Sequence, residues 1–187
     1  MTNSEKFRPG SAVASGWILI VFFVGFIVQS FFYDGDIIAT IGICGAGAIG
    51  SYLLFIKPYV LLFNEGIKIV NPTKEITATW DLVEEIETRY SMSVTIRDKR
   101  YFAWAAPAPS GRHSRRMSKT DLLPGIQAPR RVGDSLKSDS GVCAYMANIR
   151  RKDFVPGGAS DFEIISDNTV FYIFSALLLV GIAAVFF

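Results

Sequence analysis

The one histidine of this 187-residue chain, His113, stands beside Ser114 in the run RHSRR. A serine next to an imidazole is the start of a nucleophile with its general base, but this pair lacks a nucleophile elbow and has arginines on both sides. One imidazole also leaves no bis-histidine haem and no zinc site of ordinary composition. The two cysteines fall in segments of opposite character, Cys44 in an apolar run and Cys143 in a polar one, so they form neither a disulfide nor a two-cysteine redox motif. The four carboxylates of DLVEEIE (Asp81, Glu84, Glu85 and Glu87) are near enough in sequence for acid–base work, yet along a strand edge or short turn they read as a solvated or partner-facing edge. No phosphate loop is present. These residues predict no enzymatic activity, no cofactor and no metal.

Two other patterns point to association instead. Gly42, Ala46 and Gly50 recur every four residues inside an apolar run, with Gly47 and Ser51 beside them. In lipid no hydrophobic drive brings helices together, so close packing must, and small residues at this spacing let a second helix approach. Either the preceding helix fills that groove or a helix of a partner chain does. The second pattern is basic. From Lys57 to Gly111 seven bases balance seven acids, whereas from Arg112 to Lys152 ten bases face only Asp121, Asp134 and Asp139. Arg112, Arg115, Arg116, Arg130, Arg131, Arg150, Arg151 and Lys152 are candidates for gripping phosphate or carboxylate, which arginine holds in a planar fork. Anionic lipid headgroups and an acidic partner surface both fit, as does a solvated loop that serves only to set topology. Nucleic acid does not, because no aromatic residue interleaves the basic clusters.

The elements that position these residues follow from where the apolar half of the chain lies. Mean hydropathy is positive, and three runs carry no charge: residues 12–33, 37–56 and 169–187. Each is long enough to cross a hydrocarbon core, which takes about 20 helical residues. The first run follows Lys6 and Arg8 as a signal peptide would, but its apolar core is too long and no cleavage site precedes Asp34, so an uncleaved helix is expected. The spans hold no ionisable group of the kind that transport paths and proton relays need; Gln29 is the one strongly polar side chain in the first. Between the first two spans the loop DGD has no base, while residues 57–168 hold 17. The positive-inside rule then puts the N-terminus (1–11) and the large middle segment in the cytoplasm, and the C-terminus outside the plasma membrane.

The middle segment reads as strands in its first half. YVLLF is followed by the turn NEG, where Gly66 can take positive φ, and then by IKIVN; Pro72 to Lys74 turn the chain into EITATW. SVTIR, a tight turn at DKR and YFAWA make a hairpin. A small antiparallel sheet with one apolar face is expected, followed by a long basic loop (106–140) and a helix (141–152) whose Val142, Tyr145, Met146 and Ile149 share a face and close the roll. Ser140 or Asp139 would cap that helix, and residues 153–168 read as a linker.

GIKIVNPTKEITATW, DLVEEIE and VTIRDKRYFAWA together resemble the bacterial pleckstrin-homology-like domain of actinobacterial membrane proteins, the family named after low molecular weight protein antigen 6. Gly66, Asn71, Pro72, Trp80, Val83 and Ile86 occupy the places of its pattern, over roughly residues 59–105. Trp80 suits a core aromatic in either reading. The fold class expected is thus membrane α plus small antiparallel β: an N-terminal transmembrane hairpin, a cytoplasmic pleckstrin-like roll (57–152) with its closing helix, and a C-terminal transmembrane helix. The resemblance implies a non-catalytic accessory or scaffold subunit docking on a larger membrane complex, such as the actinobacterial cytochrome bcc–aa3 respiratory supercomplex. The alternative is an anionic-lipid-sensing or cell-envelope scaffold protein.

Overall fold

The computed structural model describes residues 4–33, 35–109, 136, 138–157 and 160–186. It is a mixed α/β chain that divides into a helical unit and a β-rich unit.

The helical unit contains three helices long and apolar enough to cross a membrane. Helix α1 runs Gly10–Ser30, which at 1.5 Å per residue is about 30 Å. Helix α2, Ile37–Ser51, continues as a π-helical turn over Tyr52–Ile56, marked by the bond from the Lys57 amide to the Tyr52 carbonyl at 2.8 Å. Asp36 caps α2 by accepting from the Ala39 amide at 3.0 Å. The third apolar helix is Thr169–Phe186. Its N-terminus is capped by Asp167, whose carboxylate accepts from the Thr169 amide and is held below the usual carboxylate range by that bond. The first helix stops short of the expected boundary at 33, so Gln29 lies one residue from its end and not well inside the span.

The β-rich unit holds two antiparallel sheets. Strands β1 (Glu5–Phe7), β2 (Tyr59–Leu62), β3 (Gly66–Val70), β4 (Lys74–Thr79) and β8 (Phe162–Ser166) form a five-stranded sheet in the order β1-β2-β3-β4-β8. Strands β5 (Val83–Glu87), β6 (Ser91–Ile96) and β7 (Lys99–Pro107) form the second. The apolar faces of both sheets meet in one core: Val60, Leu62, Ile67, Ile69 and Ile76 from the first, Val83, Met92, Val94, Ile96 and Ala103 from the second. Trp80 sits in the short 3-10 turn that joins the sheets, 1% exposed, and its indole N–H donates to the Phe63 carbonyl at 3.1 Å. Helix α3, Asp139–Asp153, packs against β2, β5, β6 and β7 and completes the core with Cys143, Ala144 and Ala147. The cap of α3 is Ser138, which accepts from the Gly141 amide at 3.0 Å, and not Ser140 or Asp139.

Several expectations require correction. Two segments taken as a tail and a linker are edge strands: residues 5–7 pair with β2, and residues 162–166 lie along β4. The helical face is also turned: Met146 packs against the core as expected and Val142 is half-buried, but the other two residues of that face are not inside. Tyr145 and Ile149 are 54% and 43% exposed, whereas Gly141, Cys143, Ala144 and Ala147 face the core, because small side chains let the helix backbone lie close to the sheets. Gly66 does not need positive φ; a methyl group there would collide with the Ala78 carbonyl of the facing strand. Positive φ appears instead at Arg97 and Asp98 (50° and 62°), the two residues left between the Ile96–Lys99 pair. The hairpin therefore turns at 97–98 and not over DKR, in the two-residue form whose twist matches that of the strands. DLVEEIE is the 3-10 turn followed by β5, so its acids do lie on a sheet edge, with Glu84 and Glu85 exposed.

Candidate docking surfaces

The small-residue stripe of α2 lies against a helix of its own chain, and not the one before it. Label the third apolar helix, Thr169–Phe186, α4. A methyl group added at Gly42 would collide with Gly181 of α4, and one added at Gly181 would stand 2.6 Å from the Ile43 amide nitrogen and 2.8 Å from the Gly42 carbonyl carbon. The two backbones are in direct contact, which only a glycine pair permits. A methyl group added at Gly50 would stand 3.2 Å from the Phe174 ring of α4, and Ala46 is 1% exposed. Helix α1 uses a different face of α2: the Phe23 ring fills the space over Gly47, and Gly16 of α1 lies against Phe55 and Ile56. Each small residue thus has an occupant within the chain, and α2 is the helix on which both others pack.

Of the eight candidate basic residues, Arg112, Arg115, Arg116, Arg130 and Arg131 lie outside the described residues, as do His113 and Ser114. Arg150, Arg151 and Lys152 end α3, where cations suit the negative end of the helix dipole. Arg150 is held within the fold: it donates to Asn64 Oδ1 at 2.9 Å and pairs with Glu5 at 3.5 Å. It thereby ties the end of α3 to the β2–β3 turn and to β1. Arg151 donates to the Glu84 carbonyl at 3.2 Å, and Lys152 is exposed. No family model, curated protein or solved structure matches this chain.

The remaining charges serve the fold. Lys68 pairs with Glu75 across β3 and β4 at 2.7 Å, and that hydrogen bond raises the lysine above its ordinary value. Arg100 pairs with Glu87 at 2.8 Å. Such part-exposed pairs contribute at most about 1 kcal/mol each. Asp81 accepts from Ser160 and is held below the usual carboxylate range by that bond first and by Thr79 second. The Cys143 thiol is fully buried, and burial pushes it well above the ordinary thiol range, so it is no nucleophile. Among the described residues no three of His, Cys, Asp or Glu come together as a metal site would require.

Two surfaces were not singled out from the sequence. One is the outward face of α3, with Tyr145 and Ile149. The other is the outward face of β7, where Phe102 and Trp104 are 47% and 55% exposed while Ala103 between them is buried. The alternation in YFAWA carried the second signal, since alternate residues of a strand point to opposite faces. Asn71 fixes this strand in place: its amide donates to the Phe102 carbonyl at 2.8 Å, and its Oδ1 accepts from the Trp104 amide at 2.9 Å. One asparagine side chain thus serves both the donor and the acceptor of a backbone pair, joining the end of β3 to the edge of the other sheet.

Proposed function

We propose that the chain is a non-catalytic integral-membrane accessory or scaffold subunit, whose β-rich module is a cytoplasmic pleckstrin-homology-like roll that docks on a larger membrane complex. The observation that carries this reading is the uncovered apolar face of α3. Among the described residues nothing covers Tyr145 and Ile149, on a helix whose other face closes the core, and exposed apolar side chains one helical turn apart favour a protein partner. The two-sheet core, the buried tryptophan between the sheets and the closing helix support the pleckstrin-like reading. The partner favoured is the actinobacterial cytochrome bcc–aa3 respiratory supercomplex, on the resemblance alone. The test is purification from native membranes in mild detergent. Wild-type chain is expected to comigrate with respiratory subunits, and Tyr145→Arg with Ile149→Glu to lose them while remaining in the membrane. Undiminished copurification of the double variant would show that α3 is not the docking face, and a wild-type chain that comigrates with no respiratory subunit would favour the lipid-sensing scaffold instead.

The orientation has its own test, and it cannot use Cys143, which is shielded from labels on either side of the membrane. Glu85 is exposed on β5. With Glu85→Cys, a maleimide that does not cross membranes is expected to leave residue 85 unlabelled in intact cells and to react with it after lysis. Reaction before lysis would place the module outside.

A further inference from the structure

The five-stranded sheet is joined to all three apolar helices, each time through two residues. Arg8 and Pro9 separate β1 from α1, Lys57 and Pro58 separate the end of the second helix from β2, and Asp167 and Asn168 separate β8 from α4. Register shows that these three junctions leave one end of the sheet. Phe7 pairs with Val60, so the end of β1 lies beside the start of β2. Tyr59 pairs with Val70, and Val70 with Glu75, which brings the end of β3 and the start of β4 to the same place. The end of β4 is bonded to the residue ahead of β8, through the Thr79 amide and the Asp161 carbonyl at 3.0 Å, so β8 runs back and finishes at that end as well. Two linking residues extend at most about 7 Å.

Asn71, the residue after Val70, belongs to this junction end, and it holds Phe102 and Trp104 through its two bonds to β7. The backbone of Phe102 to Trp104 therefore lies beside the end of the module from which the chain passes into apolar helices, and both side chains are exposed. Tryptophan favours the level of the headgroups, where its ring is buried and its N–H stays wet. Bases outnumber acids nearby in the chain: Arg8 and Lys57 in the junctions and Lys74 at the start of β4, against Asp167 in a junction and Glu75, which is paired with Lys68. That balance suits an anionic leaflet.

We propose that the Phe102–Trp104 face of β7 dips into the boundary between headgroups and acyl chains, and that the bilayer itself is the ligand of this surface. The proposal rests on the three helices crossing a membrane and not on which complex the chain joins. Its test is the full chain reconstituted in vesicles of phosphatidylcholine and phosphatidylglycerol. The difference in emission between wild type and Trp104→Phe isolates Trp104 from Trp17 and Trp80. That difference signal is expected to lose most of its intensity when the lipid is brominated high in the acyl chain, and to resist iodide. Quenching by iodide with indifference to brominated lipid would overturn the proposal. So would shielding from both quenchers, which marks a protein cover; if that shielding vanishes as the chain is diluted in lipid, the cover is a second copy. A nitroxide on Phe102→Cys in a Cys44→Ala background gives an independent depth, expected within the bilayer boundary and refuting the proposal if it reads as aqueous.

Discussion

Trp80→Ala is expected to lower the stability of the β-rich module by about 3–5 kcal/mol, the range for emptying a large aromatic from a packed core. Trp80 is 1% exposed at the joint between the two sheets, and its indole N–H satisfies the Phe63 carbonyl. The substitution therefore leaves a cavity where the sheets meet and takes away one of the two donors to the Phe63 carbonyl, which keeps the Gly66 amide at 3.3 Å, so the cavity carries most of the cost. A module of this size has only about 5–15 kcal/mol in hand, so the loss takes a large share of it. The check is hydrogen exchange on the full chain in detergent. Protection across residues 59–107 is expected to fall together, while the apolar helices keep theirs. Trp80→Phe, which retains most of the ring volume, is expected to restore much of the loss. A Trp80→Ala chain with unchanged protection would show that the joint is held elsewhere.

The second large effect lies in the helical unit. Gly42→Leu places a branched side chain where the α4 backbone now lies, and the backbone cannot give way as a side chain can. Overpacking of a close contact costs about 1–3 kcal/mol, and more where the obstacle is main chain. Helices α2 and α4 are expected to separate, while the chain, still apolar enough in every span, remains inserted. Cysteines placed at Val21 and Val180, both exposed on their helices, in a Cys44→Ala chain would serve as controls for insertion by their protection from aqueous label. The readout for packing is the thermal midpoint in mild detergent, expected to drop by several degrees for Gly42→Leu and for Gly181→Leu. Gly25→Leu, with open space around it, is expected to change little. If Gly42→Leu melts as the wild type does, α4 does not occupy the stripe.

These two substitutions also mark what can be read in the residues. The spans were legible because lipid leaves the backbone one economical answer, and uncharged runs of this length announce it. The stripe at Gly42, Ala46 and Gly50 was legible as a packing face, but periodicity within one helix does not name the helix it meets. The one clue was Gly181, the sole glycine of the third run. Strands β2, β3 and β4 were marked by their turns, at NEG and at Pro72. The edge strands β1 and β8 were not, because β1 is three residues long and β8 leaves most of its side chains exposed, so each is defined by the strand it pairs with. The face of α3 was misread because size and not hydrophobicity decided it: Ala144 and Ala147 admit the sheets, and Tyr145 does not. The arginines from Arg112 to Arg131 lie outside the described residues, and the basic loop remains an expectation from charge.

The pairing of β1 with β2 makes the β-rich core discontinuous in the chain. Residues 5–7 reach it from ahead of two helices long and apolar enough to cross a membrane, and the strand they complete begins only after both. Closing so long a loop in a free chain carries an entropic cost, but under the proposed topology, inserting the first two helices as a hairpin would bring Phe7 and Tyr59 to the same side of the bilayer in advance. Insertion thus acts on the sheet as a cross-link would, by restricting the unfolded chain. A fragment cut at residue 57 to obtain a water-soluble module would lose that restraint, the β1 strand and the Glu5 partner of Arg150. It would present β2 as a bare edge open to pairing with other copies, so the three residues of β1 guard the sheet against association as well as completing it.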